Sequence, residues 1–132
     1  MNSESVLDIF REITRIPRES GHEEKMIEFL QKFAAEHNLA CKTDATGNVV
    51  ITKEATPGKE NIPAIALQSH QDMVCEKIAG SKHDFTKDPI NYVVKDGWMI
   101  AEETTLGADD GIGVAATLAL LASDLPTGKV EG

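Results

Sequence analysis

The chain has 132 residues, 41% of them hydrophobic and 27% charged, which is typical of one folded globular domain and excludes a disordered segment. Its formal net charge of −9 disfavours a nucleic acid as partner, because the phosphate backbone would repel it. The longest largely apolar stretch, residues 112–122, is too short to span a bilayer. Two cysteines form no disulfide framework, so we expect a reduced, cytoplasmic protein that has no membrane partner.

Two amphipathic helices are predicted at the N-terminus. The first begins after Ser3 or Ser5, either of which can serve as N-cap, and its apolar pattern stops at Pro17. After a loop at residues 18–21, the second helix runs from about residue 22 to residue 38. The residues predicted to form its buried stripe are Met26, Phe29, Leu30 and Phe33.

The pattern then changes to strands. Residues 39–44 and 48–53 flank a turn and predict a hairpin. Residues 64–69 begin with side chains that are apolar on both faces, which is typical of a central strand covered by helices. Asp96-Gly97 marks a second hairpin, in which we assign Trp98 to the core. A third helix at 113–123 completes an α/β order, and the chain ends where the next strand would begin, so we expect a fragment.

A histidine and an aspartate follow the predicted central strand. His70 and Asp72 are two positions apart, so on an extended chain their side chains point the same way. A neutral imidazole is a good zinc ligand, and a neighbouring carboxylate can fix its tautomer or bind metal itself. Ligands of α/β sheets also bind at the carboxyl ends of strands. The pair alone is equally compatible with a strand end that satisfies its own polar groups.

The second candidate is the acidic loop at residues 106–113. Asp109 and Asp110 are adjacent, and either one can cap the helix that follows, which is the simpler interpretation of the loop alone. A phosphate loop is disfavoured, because two carboxylates repel an anion and no lysine follows. Together with His70, however, the loop offers mixed nitrogen and oxygen ligands, which suit zinc, cobalt or manganese.

The segments ALQSHQDMVCEK (66–77) and TTLGADDGIGVAATLALL (104–121) resemble the aminoacyl-histidine dipeptidases, or Xaa-His dipeptidases. These belong to the dinuclear zinc peptidases, a group that also includes tripeptidase T and carnosinase. The segment FREITRIPRESGHEEKMIEFL (10–30) is similar to the same family. The resemblance therefore covers essentially the whole chain, with departures at Ser69 and Glu103.

The resemblance implies a role for each matching residue. His70 would bind one of two zinc ions, Asp72 would be the active-site residue that orients it, and Asp109 would bridge both ions. Asp110 would be joined to Asp109 by a cis peptide bond. The implied fold is a mixed sheet flanked by helices, of the phosphorylase/hydrolase-like kind. Residues 1–132 would form the N-terminal portion of the catalytic domain, with the remainder and a lid domain outside this chain.

The implied function belongs to a longer enzyme. It would hydrolyse short peptides, in particular dipeptides with C-terminal histidine, and it could be a homodimer. A glutamate pair needed for catalysis would lie beyond residue 132, so the fragment alone is expected to be inactive. The alternatives are a related tripeptidase or amidohydrolase, and a non-catalytic metal-binding module. A receiver-like signalling domain ranks last, because it leaves His70 and Asp72 unexplained.

Overall fold

The computed structural model describes residues 1–132 and confirms the α/β architecture, with helices packed on a mixed sheet. Three helices and six strands alternate in an irregular order along the chain. In chain order the elements are α1 (Ser3–Ile13), α2 (Glu24–Glu36), β1 (Ala40–Thr43), β2 (Val49–Lys53), β3 (Ile65–Ala66), β4 (Tyr92–Lys95), β5 (Trp98–Ala101), α3 (Ala108–Leu121) and β6 (Val130–Glu131).

The start of α1 differs from the prediction. Asn2, not Ser3 or Ser5, is the N-cap, and its side-chain oxygen accepts a hydrogen bond from the Ser5 amide at 2.9 Å. The Ser5 hydroxyl in turn accepts from the Asn2 amide at 2.9 Å, so the two residues form a reciprocal capping box. The prediction failed because three polar residues within four positions can each cap a helix, and the hydropathy pattern does not separate them.

The main sheet has the strand order β1-β2-β6-β3. Its first hairpin, β1–β2, is antiparallel as predicted. The turn is held by one carboxylate, because Oδ1 of Asp44 accepts from the amides of Thr46, Gly47 and Asn48, each at 2.9 Å. Strand β6 is inserted between the hairpin and β3, antiparallel to β2 and parallel to β3.

The prediction of a central strand at residues 64–69 is wrong for this chain. Only Ile65–Ala66 is strand, it lies at the sheet edge next to β6, and Ile65 is 51% exposed. A residue pattern that is apolar on both faces predicts burial, but it does not specify the neighbouring strands. Within residues 1–132 the only strand that pairs with β3 is β6.

The second hairpin, β4–β5, forms a separate two-stranded sheet. Asp96 and Gly97 both have positive φ, 52° and 81°, as a tight type I′ turn requires. The assignment of Trp98 to the core is wrong, since this residue is 72% exposed. Alternation along β5 turns Met99 towards the body of the molecule and Trp98 away from it.

The core lies where α1 packs on α3 and where α2 and α3 cover β2. Phe29 of the predicted α2 stripe is only half-buried, and Ala34 is buried in addition to the others. The largest fully buried apolar side chains are Phe10, Ile13, Met26, Leu118, Leu121 and Val130. This packing fixes the positions of two segments, the one that follows β3 and the one that precedes α3. None of the helices has the length and apolar character needed to cross a membrane.

Candidate functional site

His70 lies between two carboxylates. Its Nδ1 is 3.0 Å from Oδ1 of Asp72, and its Nε2 is 3.0 Å from Oδ1 of Asp109. Asp72 is its close neighbour after β3, whereas Asp109 is 39 positions away at the start of α3. The structure therefore brings together the three residues that the sequence singles out on two separate segments.

The electrostatics of this group favour a proton on the imidazole. The pKa of His70 is raised, mainly by the hydrogen bond to Asp109, with burial opposing the shift and Asp72 adding to it. The pKa of Asp72 is lowered, mainly because the Ser20 hydroxyl donates a hydrogen bond to it and then because of His70. With a proton on both ring nitrogens, Nδ1–H donates to Oδ1 of Asp72 and Nε2–H donates to Oδ1 of Asp109, so the two carboxylates hold the ring from opposite sides.

The acidic loop does not act as a helix cap. The N-cap of α3 is Gly107, with φ of 77°, and no side chain caps the first turn. Asp109 and Asp110 have non-helical φ and ψ and are joined by the cis peptide bond that the resemblance implies. The side chain of Asp109 is 97% exposed and contacts His70. The Asp110 carboxylate instead folds against Gly113, where a Cβ atom would collide with it. The capping interpretation is therefore wrong for both residues.

Two residues of the site were not predicted from the sequence, in which residues 18–21 are assigned to a connecting loop. Arg18 is buried and donates to backbone carbonyls on both sides of the site. Ser20 donates from Oγ to Oδ2 of Asp72, the oxygen that does not face His70. The segment runs beside the residues after β3, since the Met73 amide donates to the Arg18 carbonyl at 2.9 Å. No local pattern reveals such contacts, because the partners are 52 or more positions apart.

Other ionisable residues belong elsewhere. Burial raises the pKa of Cys75, and its Sγ lies 3.7 Å from the Met73 carbonyl oxygen. The His83 ring packs against Phe85 at a centroid distance of 4.5 Å. Glu103 accepts a hydrogen bond from the Ser81 hydroxyl at 3.1 Å and lies with Glu102 in a polar pocket of about 420 Å³. None of these groups joins the three-residue cluster around His70.

The donor set fits part of a metal centre. Nε2 of His70 and the Asp109 carboxylate are the nitrogen and oxygen ligands that zinc accepts, and Asp72 supplies the orienting carboxylate that zinc-binding histidines have. No group of three or more histidine, cysteine or acidic side chains is arranged to hold a metal ion within this chain. Because a catalytic zinc takes about three protein ligands, His70 and Asp109 alone are an incomplete ligand set.

No family model matches the chain. It is 44% identical over 124 residues to the cytosol non-specific dipeptidase of Escherichia coli strain K12, which covers 94% of this chain and 26% of that protein. Among solved structures, the aminoacylhistidine dipeptidase of Vibrio alginolyticus superimposes with a TM-score of 0.93 at 42% identity, over 99% of this chain and 27% of that one.

A tripeptidase from Staphylococcus aureus superimposes with a TM-score of 0.80 at 27% identity, over 99% of this chain and 35% of that one. The chain thus spans about a quarter to a third of the length of these relatives. All of them are peptidases by name, and the dipeptidases share more sequence with this chain than the tripeptidase does. The resemblance to the aminoacyl-histidine dipeptidases that the motifs predict is confirmed over nearly the whole chain.

Proposed function

We propose that residues 1–132 are the N-terminal portion of the catalytic domain of a zinc-dependent dipeptidase. The observation that carries this proposal is the position of His70 between Asp72 and Asp109, with one ring nitrogen 3.0 Å from each carboxylate. The high identity to two dipeptidases over the same residues supports the peptide bond as the target. The longer protein that contains this chain would carry the activity.

Each residue of the cluster has a distinct role in the proposal. His70 would hold zinc through Nε2, and Asp109 would be a carboxylate ligand of the same centre, which by the family resemblance takes two zinc ions. Asp72 would not bind metal; it keeps the proton on Nδ1 and holds the ring in place, and its own position is fixed by Ser20. Zinc, when bound, polarises the scissile carbonyl and lowers the pKa of water. Cobalt or manganese could occupy the same donor set.

The general base would come from outside this chain. Such a group must reach the attacking water and therefore lie beside the ligands. The nearest acidic pair in sequence, Glu102-Glu103, lines a different pocket, and Glu103 is engaged by Ser81. As the family resemblance implies, the catalytic glutamate pair would lie beyond residue 132, and we expect the 132-residue chain to be inactive alone.

The substrate is proposed to be a short peptide, in particular a dipeptide with C-terminal histidine. The relatives' names support a dipeptide, and that of the Vibrio alginolyticus structure names the aminoacyl-histidine class. A tripeptidase remains the second candidate, because the Staphylococcus aureus tripeptidase superimposes with a TM-score of 0.80, although at only 27% identity. A cytoplasmic location, suggested by the name of the cytosolic relative, and a homodimer complete the proposal.

The test is a substrate panel on the longer protein encoded by the gene that carries this sequence. Xaa-His dipeptides, other dipeptides, tripeptides and acyl amino acids are assayed after removal of metal by a chelator and again after zinc is returned. We expect turnover of dipeptides that vanishes on chelation and returns with zinc. Preference for tripeptides or acyl amino acids would select the related enzymes, and absence of any hydrolysis would favour a non-catalytic metal-binding module.

A further inference from the structure

Arg18 lies where the two segments of the proposed metal centre approach each other. Its Nη1 donates to the carbonyl oxygens of Gln71 and Asp72, at 3.2 and 3.1 Å, and its Nη2 donates to the Gly107 carbonyl at 2.6 Å. These acceptors are 53, 54 and 89 positions away in sequence. A single side chain therefore connects the backbone beside His70 with the backbone two residues before Asp109.

The burial of this guanidinium is unusual for a residue that only stabilises a fold. Arg18 is 1% exposed, its Nε has no hydrogen-bond partner, and its other contacts are neutral carbonyls. Desolvation of such a group is unfavourable, and well-packed apolar side chains of similar volume generally stabilise a protein as well or better. The arrangement is explained if the guanidinium is needed to hold particular carbonyls in place.

Two glycines of the acidic loop lie in close contact with the Arg18 side chain. A Cβ atom on Gly107 would lie 2.5 Å from Nη2 of Arg18, and one on Gly111 would lie 2.7 Å from the same atom. The two glycines flank Asp109 and Asp110, so the loop that carries the acidic pair leaves room for the guanidinium on both sides. The close approach of Arg18 explains why this loop has glycines at these two positions although it is not a phosphate loop.

We propose that Arg18 is a positioning residue of the metal centre, which sets the approach of His70 Nε2 to Asp109 Oδ1 by holding both segments at once. The inference rests on the proposed function for its biological meaning, but the geometry it describes exists without metal. Lysine cannot replace arginine here, because an ammonium group cannot present a planar fork of donors to three carbonyls.

The experiment compares Arg18→Met and Arg18→Lys with the native form of the longer protein that contains this chain, and uses Arg15→Met at an exposed arginine as control. The first readout is metal-free. Nuclear Overhauser contacts between the His70 ring and the Asp109 side chain are measured, with circular dichroism and thermal unfolding to follow the fold. The second readout is a titration with Co²⁺ alone, followed by paramagnetic broadening of the amides of residues 70–73 and 108–111.

We expect both Arg18 variants to lose the His70–Asp109 contacts while they keep native circular dichroism, and Arg15→Met to retain both. The variants should bind Co²⁺ about tenfold more weakly than the native longer protein or worse, the usual effect of removing an outer partner of a metal ligand. Retention of the His70–Asp109 contacts in both folded variants would overturn the inference. Unfolding of both variants would also overturn it, since Arg18 would then stabilise the fold and not the site. Native longer protein that shows no localised Co²⁺ effect would count against the metal site of the proposed function, while the metal-free contacts still decide the role of Arg18.

Discussion

The hydroxyl of Ser20 donates a hydrogen bond to Oδ2 of Asp72, while Oδ1 of the same carboxylate lies 3.0 Å from Nδ1 of His70. The two oxygens of one aspartate thus join the loop after α1 to the proposed metal ligand. A carboxylate held at both oxygens has little rotational freedom, so the imidazole that it contacts is held as well.

Ser20→Ala should weaken metal binding without unfolding the chain. The exposed hydroxyl makes little contribution to the core, but its loss frees Oδ2 of Asp72 and loosens the imidazole. We expect zinc affinity of the longer protein to fall by up to about tenfold, the lower end of the effect of removing a group that contacts a ligand directly, because Ser20 acts one contact further out through Asp72. The measurement is competition with a chelating dye. Ser20→Thr keeps the hydroxyl and should bind within about twofold of native protein; equal affinity in the alanine variant would show that Ser20 has no positioning role.

His70→Ala should abolish turnover by the longer protein. Removal of an outer partner alone reduces metal affinity or activity by about 10- to 100-fold, so loss of a ligand should exceed that range. His22→Ala, at an exposed histidine of the same chain, is the matched control and should retain native kcat and KM. Zinc content and dipeptide turnover are measured for both variants. A His70→Ala enzyme with native zinc content and turnover would remove this residue from the metal centre.

Gly107→Ala should destabilise the chain more than Gly58→Ala does. Both glycines have positive φ, 77° and 89°, so both alanines carry backbone strain. Gly58 has no atom within 4 Å of a built Cβ, whereas the Cβ on Gly107 would also approach Met73 Sδ at 2.8 Å. We expect an additional loss of about 1–3 kcal/mol for Gly107→Ala, typical of overpacking.

The free energy of unfolding in urea gives this difference directly. Equal losses for the two alanine variants would show that the loop before Asp109 can move away from Arg18 without penalty, in contradiction to the tight packing described above.

Asp44 should make stability depend on pH in the acid range. Its pKa is lowered, mainly by the Asn48 side chain and then by the Asn48 amide. A carboxyl group whose pKa is lower in the folded state contributes stability above its unfolded pKa, about 3.9, and loses it as the pH falls through the folded value. The difference in unfolding free energy between native chain and Asp44→Asn should therefore be constant near neutral pH and shrink below about pH 4.

Urea unfolding from pH 7 to pH 2 tests this dependence. Asn48→Ala removes the first cause of the shift but keeps the three backbone amides that donate to Asp44, so it should flatten the acid dependence in part. A difference between native chain and Asp44→Asn that grows as the pH falls would have the wrong sign and contradict the assignment.

The sequence predicted those parts of the fold that are encoded locally. Asp96-Gly97 requires positive φ at two positions and so identifies a hairpin without tertiary information. The motif residues His70, Asp72 and Asp109 could be placed in one site, because strand ends and helix starts meet at a sheet edge in α/β proteins. The cis peptide before Asp110 followed from the resemblance and not from the residue types.

Other features could not be predicted, because they depend on distant partners. Arg18 is buried against segments whose carbonyls lie more than 50 positions away in sequence. The local sequence, a charged residue after a proline, is typical of a surface loop. The edge position of β3 depends on which strands flank it. Trp98 faces outward because a two-stranded sheet has one face turned away from the body of the molecule.

The most direct test of the central claim is a crystal structure of the longer protein loaded with zinc, with anomalous data collected at the zinc edge. We predict anomalous peaks about 2 Å from Nε2 of His70 and from the Asp109 carboxylate oxygens, with Nδ1 of His70 still facing Asp72 and Arg18 still joined to Gly107. Zinc bound elsewhere, with His70 and Asp109 left paired to each other, would contradict the account.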